Sequence, residues 1–358
     1  MKKGTWRKML CVLLSAMFVV AMFTGCGGSG GSGGGTSSLT NADGSLKDLD
    51  TSEEVEIVMY VISDRPAGQD VVDANFNQVL KDKGLNCTLK VNWIGWAEYA
   101  NKYPLLFSSG EAFDLAYCAT WLNFSDLARK GAFMSLNDLL PKYAPKNYAQ
   151  QSQTALAQAT IDGQLYAVPT LLATYTAYGA MYRGDIAAEI SPDFKINNWE
   201  DVETYCDYVK ANHPEMEPID EYSMGPELNF TYMKNAGYHY IDGSRYLWYD
   251  PADEPPTVKP LYEYEAETAD FLQMVQRFGD KGFWTKSALA DTDSQKTQTG
   301  KAALRFHNID TWSGYCVQQP DWDFQWTTFT KDVAHLPFTQ DCLVVSNTSK
   351  NPDRALAM

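Results

Sequence analysis

Aromatic side chains are the richest source of chemistry in this sequence, which holds 10 Trp, 21 Tyr and 16 Phe among 358 residues. A flat ring stacks on the apolar face of a sugar, while polar ring tips and neighbouring carboxylates or amides take the hydroxyls. Rings that do this belong just past strand ends, where open α/β sheets bind their ligands. Trp121 follows a strand ending at Cys118. Trp312 follows one ending at Phe306, in the run His307-Asn308-Ile309-Asp310-Thr311-Trp312, which also supplies Asp310. Asp64 and Arg65 follow the first strand, and Tyr175 and Tyr178 come shortly after Pro169. Trp199 and Phe271 lie on helix faces and are expected in the core.

Other chemistries find less support. No glycine loop followed by Lys-Ser or Lys-Thr is present to cradle a phosphate, and there is no Gly-x-Ser-x-Gly elbow. His213, His239, His307 and His335 are far apart and lack helix-spaced partners, so neither a metal site nor a cofactor is expected. A carboxylate pair for glycoside hydrolysis stays open among the 45 acids, most of which form solvated surface.

The elements that would position these residues alternate in type. Glu56 to Ile62 reads as a strand. Gln69 to Lys83 reads as a helix with Val72, Phe76, Val79 and Leu80 on its inner face, stopped by Gly84. Asn86 to Asn92 is a second strand, with Cys87, Leu89 and Val91 on one face. Strand, helix and strand in that order predict a parallel sheet under helices. A helix over Ala97 to Ser109, disturbed by Pro104, leads to a strand from Phe113 to Cys118. Short helices over Ser125 to Lys130 and Leu136 to Leu140 follow, then a turn at Asp162-Gly163 before the strand Gln164 to Val168. Past Pro169 the rhythm restarts with a strand over Tyr178 to Arg183. A helix over Asn198 to Lys210 should bury Trp199, Val202, Tyr205 and Val209, and 213–260 reads as irregular. Glu265 to Lys281 is a helix with Phe271, Leu272, Val275 and Phe278 inward. Ala302 to Phe306 and Cys342 to Val345 complete the strands.

The amino end carries Lys2, Lys3, Arg7 and Lys8, an apolar run from Met9 to Phe23, and then Gly25-Cys26. That pattern is a lipoprotein signal over 1–25, too short to span a bilayer comfortably. Cys26 would carry the lipid, and 26–53 begins as a Gly/Ser tether. Removing four positive charges takes the net charge from −16 to −20, which argues against nucleic acid as a partner. Cys11 leaves with the signal. Cys87, Cys118, Cys206, Cys316 and Cys342 remain, an odd and scattered set that reads as small buried hydrophobes, neither a disulfide framework nor a zinc site. The remaining length, above 300 residues, favours two lobes.

Several segments, taken in order, resemble one family. They are Ser109-Gly110-Glu111 before Phe113-Asp114-Leu115, Lys130-Gly131-Ala132-Phe133 before Leu136-Asn137-Asp138-Leu139, and Asp162-Gly163-Gln164-Leu165-Tyr166-Ala167-Val168-Pro169-Thr170. Asn198-Trp199-Glu200-Asp201-Val202 and Gly300-Lys301-Ala302-Ala303-Leu304 complete them. Together they are similar to extracellular solute-binding proteins of family 1, the receptors of ABC importers, and most of all to the large Gram-positive lipoproteins of the LplA type. The resemblance implies an α/β, two-lobed type 2 periplasmic-binding-protein fold, with hinge strands and a ligand cleft related to that of maltose-binding proteins. It places the first lobe at 54–169 and 339–358 and the second at 170–338. It also implies that Trp312 stacks on a sugar, and more weakly that Trp121, Asp64 and Arg65 line the cleft. The implied partners are an oligosaccharide or other small polar solute, ABC permease subunits, and the membrane through a lipid. A lipid-anchored glycoside hydrolase is the alternative. Asn351 should cap a helix begun at Pro352, but only five residues follow Asp353, fewer than a stable helix needs. Relatives continue with further helical segments, so the resemblance implies a chain lacking its C-terminal part.

The anchor is testable. Two or more acyl chains are needed for stable attachment. Cys26→Ala should therefore move the protein from the membrane fraction to the medium. Unchanged membrane association with the signal removed would mean that lipid is not the anchor.

Overall fold

A computed structural model describes residues 48–220, 227–241, 246–329 and 333–358. The expected signal over 1–25, Cys26 and the tether up to residue 47 lie outside the described residues. In chain order the first lobe holds β1 (Val55–Ile62), α1 (Gln69–Asp82), β2 (Cys87–Ile94), α2 (Tyr99–Ser108) and β3 (Leu115–Cys118). Four short helices follow, α3 (Phe124–Arg129), α4 (Leu139–Tyr143), α5 (Pro145–Gln150) and α6 (Gln153–Gln158), and then the hairpin β4 (Thr160–Ile161) and β5 (Gln164–Leu165). β6 (Thr174–Thr176) leads out of this lobe. The second lobe holds β7 (Tyr178–Tyr182), α7 (Gly184–Ile190), α8 (Trp199–Asn212), β8 (Glu217–Ile219) and α9 (Glu227–Asn235). It continues with β9 (His239–Tyr240), β10 (Leu247–Tyr249), β11 (Lys259–Pro260), α10 (Glu265–Lys281), β12 (Ala302–Asn308), α11 (Ile309–Gln318) and β13 (Gln325–Thr327). β14 (Ala334–Leu336) brings the chain back to β15 (Cys342–Val345) and α12 (Pro352–Ala357).

The first sheet has the order β15-β3-β1-β2, with β1 parallel to both β2 and β3 and with β15 antiparallel at the edge. Its core includes Ile57, Leu115, Leu136, Leu140 and Val344. The α1 boundaries match the expectation, but its inner face does not. Leu80 is buried, whereas Val72, Phe76 and Val79 are exposed. The half-buried positions are instead Gln69, Asp73 and Asn77. Asn77 explains the rotation, because its side-chain amide donates to Leu89 O at 3.1 Å and accepts from Leu89 N at 2.7 Å. β2 is an edge strand, and its free backbone groups require partners more than the valines require burial. Pro104 sits inside α2 without ending it. Asp162 and Gly163, with φ of 51° and 82°, turn the β4–β5 hairpin, as two-residue hairpin loops with positive φ do.

The second sheet has the order β13-β7-β12-β8, with β12 parallel to β8 and antiparallel to β7. Asn198 caps α8 by accepting from Asp201 N at 2.8 Å, and Val202, Tyr205, Cys206 and Val209 are buried beneath it. Trp199 is half-buried among Phe329, Phe306 and Tyr232. The expected bounds of α10 hold, but Leu272 points outward and Met274 takes its place beside Phe278. Positions 271, 274, 275 and 278 share one helix face, and 272 lies a full residue off it. The stretch 213–260 is more ordered than expected. It contains β8, α9 and a three-stranded sheet, whose Trp248 packs with Phe230, Met233 and Tyr264. Strands of two or three residues are too short to show periodicity.

Two crossings join the lobes. β6 and β14 pair antiparallel, Tyr175 opposite His335, and Thr170 N donates to Phe338 O at 2.9 Å. α12 is six residues long and is held by tertiary contacts. Its buried Arg354 donates to the carbonyls of Asp50 (2.7 Å), Glu53 (2.5 Å) and Asn86 (2.6 Å). Asp50 and Glu53 are thus fixed by backbone contacts although they fall within the expected tether. Asn351 makes no side-chain capping bond, contrary to expectation.

A buried polar group ties the loop before β12 to the second sheet. Lys296 Nζ lies 2.8 Å from Glu217, 3.0 Å from Asp291 and 3.8 Å from Asp220, whose Oδ2 accepts from Thr297 N and Oγ1. Burial opposes the lysine charge, but the bonds to Glu217 and Asp291 prevail and raise its pKa. Lys296→Met should lower stability by about 3–5 kcal/mol in urea titration, because it takes the ammonium away from the buried Asp220 and the half-buried Glu217 and Asp291. A loss below 1 kcal/mol would show the group to be dispensable. Nearby, burial and then the Arg305 charge push His307 down to about 3. The unfolded chain takes up this proton as pH falls through about 6.5, and the folded chain resists until about 3. Stability from this group is therefore complete above 6.5 and is lost on acidification towards 3. His307→Gln should flatten that slope in melts from pH 7 to 4, and identical slopes would clear His307.

Candidate functional site

Because β1, β2 and β3 are parallel, the segments after them emerge at one edge of the first sheet. Three loops meet there. Trp96 follows β2 and Trp121 follows β3, and the two indoles stack with centroids 6.1 Å apart and planes 30° apart. Tyr99 sets its edge against both rings at 5.8 Å, and Tyr117 flanks Trp121 at 6.2 Å. The pair stays open to solvent, Trp96 39% and Trp121 37% exposed. Asp64, from the loop after β1, accepts from Trp96 N at 3.3 Å. Gly95 makes this approach possible, since a methyl group there would come within 2.9 Å of Asp64 Oδ1. The result is a solvent-open aromatic pair with a carboxylate at its margin.

Arg65 is turned elsewhere, towards the start of α1, where it lies 2.5 Å from Asp70 and 3.6 Å from Asp73. Trp96 and Tyr99 were not singled out in the sequence. The signal was available, because Trp96 stands two residues past the β2 end, just as Trp121 stands three past the β3 end.

The second-lobe residues gather at the β7–β12 edge. Asn308, the last residue of β12, pairs with Tyr178, the first of β7, and caps α11 by accepting from Thr311 N at 2.9 Å. Asp310 accepts from Thr176 Oγ1 at 3.4 Å, joining the α11 start to the first crossing. The Tyr178 and Tyr240 hydroxyls lie 3.2 Å apart, and Phe230 meets the Tyr178 ring edge-on at 5.4 Å. Trp312 is half-buried, its indole N–H donating to Phe324 O at 2.8 Å and its ring beside Trp326. Its polar handle is therefore occupied, and its ring packs against the buried cluster of Met181, Tyr315 and Phe324. Tyr175, 53% exposed, lies on β6 with its ring 4.4 Å from His335.

Both sets border the crossings. Thr120, beside Trp121, donates its N–H to Thr339 O at 3.1 Å and its hydroxyl to Gln340 at 3.3 Å. The Tyr117 hydroxyl donates to the Asp341 carboxylate, and burial followed by this carboxylate raises its pKa. Asp64, Trp96, Tyr99 and Trp121 thus form one set. Tyr178, Asp310 and Trp312 border the same strand end but pack separately, Tyr178 with Phe230 and Tyr240, Asp310 with Thr176, and Trp312 with Met181 and Phe324, while Tyr175 lies on the crossing strand β6. Such an arrangement suits a polar ligand with flat apolar faces.

The profile of the bacterial extracellular solute-binding proteins matches residues 73–358. A carbohydrate ABC transporter substrate-binding protein of Streptococcus pneumoniae serotype 4 (strain ATCC BAA-334 / TIGR4) is 24% identical over 361 residues, covering 98% of this chain and 68% of that protein. Among solved structures, the N-glycan transport solute-binding protein NgtS of Streptococcus pneumoniae, in complex with Man1GlcNAc, superposes with a TM-score of 0.64. It is 21% identical over 85% of this chain and 66% of that one. The substrate-binding protein Lmo0181 of Listeria monocytogenes, in complex with cycloalternan, gives 0.55 at 16% identity, over 84% of this chain and 73% of that one. The chain thus spans about two thirds of the length of the first two relatives. These neighbours carry the two-lobed α/β fold anticipated above. The matched profile covers most of the sequence, and the chain belongs to the bacterial extracellular solute-binding proteins.

Proposed function

We propose that this protein captures an oligosaccharide between its lobes and delivers it to the permease of an ABC importer, without turning it over. The observation that carries this reading is the open Trp96–Trp121 stack with Asp64 at its margin. The exposed part of the indole pair offers apolar ring surface to a sugar, and a carboxylate beside it accepts from hydroxyls. The carbohydrate ligands in the names of the relatives support the same class. In this reading Trp312, Tyr178 and Asp310 close on the sugar from the second lobe, Tyr175 contacts it at the hinge, and Arg65 holds the Asp64 loop against α1. Lipid on Cys26 keeps the receptor at the outer face of the membrane, near its permease.

Calorimetric titration with a panel of manno- and gluco-oligosaccharides tests this. Trp96→Ala and Trp121→Ala should each cost about 1–3 kcal/mol of binding with an unchanged melting temperature, and Trp312→Ala should weaken binding similarly. Trp199→Ala should instead lower the melting temperature, since its ring packs in the second core. Wild-type affinity in all three site variants would remove the aromatic set from the ligand. Released monosaccharide in the cell would convert the receptor into a glycosidase.

A further inference from the structure

We propose that Cys118 and Cys342 form a disulfide that staples β15 to β3 when the folded protein meets a small disulfide oxidant outside the cytoplasm. This rests on the extracellular family and not on the identity of the ligand; disulfides persist in such compartments. The two residues are direct partners in the antiparallel β3–β15 ladder. Directly opposed residues of such a pair project from the same face of the sheet. Ser346 N donates to Asp114 O at 2.9 Å in the same register, so alternate pairs, Cys342 with Cys118 among them, are of the hydrogen-bonded kind. Their Cα atoms then stand about 5.5 Å apart, a separation common in disulfides. Cys342 Sγ already lies 3.2 Å from the Cys118 carbonyl oxygen, and both residues are buried as thiols.

No other described cysteine competes. Cys87 opens β2, on the far edge of the sheet and at the opposite end, and Cys206 and Cys316 belong to the second lobe. Access comes through the strand end. Cys342 is the first residue of β15, and the next residue, Leu343, is tied on the outer side to Val168 by two backbone bonds (2.8 and 3.0 Å), so local opening that breaks this bridge exposes both sulfurs without global unfolding. Cys118 is the better attacking group. Burial raises its pKa, but hydrogen bonds from Cys342 and Tyr103 outweigh that and leave it lowered. The Cys118 thiolate attacks one sulfur of the oxidant RSSR and releases RSH, leaving Cys118–S–SR. The Cys342 sulfur then attacks Cys118 Sγ and expels the second RSH. Two protein thiols are oxidised, one RSSR is reduced, and both thiol protons leave on RSH.

The staple would act on the candidate site through the chain. Asp341 and Gln340, just before β15, bond to Tyr117 and Thr120, which lead into Trp121. Joining 342 to 118 fixes the end of the second crossing against the loop that carries this ring.

The experiment is peptide mapping of the folded protein after incubation with oxidised glutathione, then unfolding and alkylation without reductant. The expected result is a single cross-linked peptide, two hydrogens lighter than its parts, joining Cys118 to Cys342, with Cys87, Cys206 and Cys316 alkylated. The melting temperature should rise by roughly 5–10 °C and fall back with dithiothreitol. In Cys342→Ser the rise should vanish and Cys118 should carry the alkyl group or glutathione. Alkylation of both residues in the oxidised parent, a lasting glutathione adduct on either, or a cross-link to a different cysteine would overturn the proposal.

Discussion

The pairing of β15 with β3 is the constraint on which the architecture rests. Residues 342–345 pair with 115–118 across more than two hundred intervening residues, which include the whole described second lobe. Until that return is made, β3 has an open edge, and Val344 and Val345 are missing from the first core. Arg354, in the helix that follows β15, then fastens the carbonyls of Asp50 and Glu53 just before β1. The first lobe therefore cannot be completed before the crossings are in place. Such long-range closure makes folding slow relative to local helix formation. It also couples the site to the hinge, since the groups that complete the sheet adjoin those that carry Trp121.

What was legible in the sequence followed from period and length. β1, α8, α10 and β15 are long or regular enough for spacing to reveal them, and the Asp162-Gly163 turn needs residues that accept positive φ. The inner face of α1 was misread because apolar spacing was weighed without the edge strand that Asn77 must satisfy. Leu272 shows the same limit, as an apolar residue beside the true face rather than on it. The small sheet around Trp248 escaped because its strands hold two or three residues each and its order comes from aromatic packing. In the site, Trp121 and Asp64 were legible from strand ends. Trp96 obeyed the same rule, but the end of β2 had been placed two residues early, at Asn92. The contact between Trp96 and Trp121 joins two loops and cannot be read from either one.

The two halves of the candidate site differ in how their side chains are committed. On the first lobe the Trp96–Trp121 surface is open, and it is shaped by backbone, a glycine and one carboxylate. On the second lobe Tyr178, Asp310 and Trp312 each have a polar partner within the protein. A preformed, exposed platform loses little conformational freedom when a ligand settles on it, so it is suited to first contact. Groups already held by neighbours present ring faces in fixed positions and suit the closing half. Under the proposed reading, ligand would dock on the first lobe and the second would close over it.

Charge bears on which solutes the first-lobe platform can accept under the proposed reading. The chain carries a net charge of −16, so its long-range field repels anions and attracts cations. Around the first-lobe platform Asp64 bonds Trp96 and Asp341 bonds Tyr117, while Arg65 is paired with Asp70 and Asp73, and Lys102, one turn after Tyr99, with Glu98. A phosphorylated or carboxylated solute would meet these carboxylates, while Arg65 and Lys102 are already paired with acids. A neutral ligand avoids this penalty, because stacking needs no charge and a carboxylate accepts hydrogen bonds from hydroxyls. Under the proposed reading the platform therefore suits an uncharged, hydroxyl-rich solute with an apolar face, which is the chemistry of a neutral sugar.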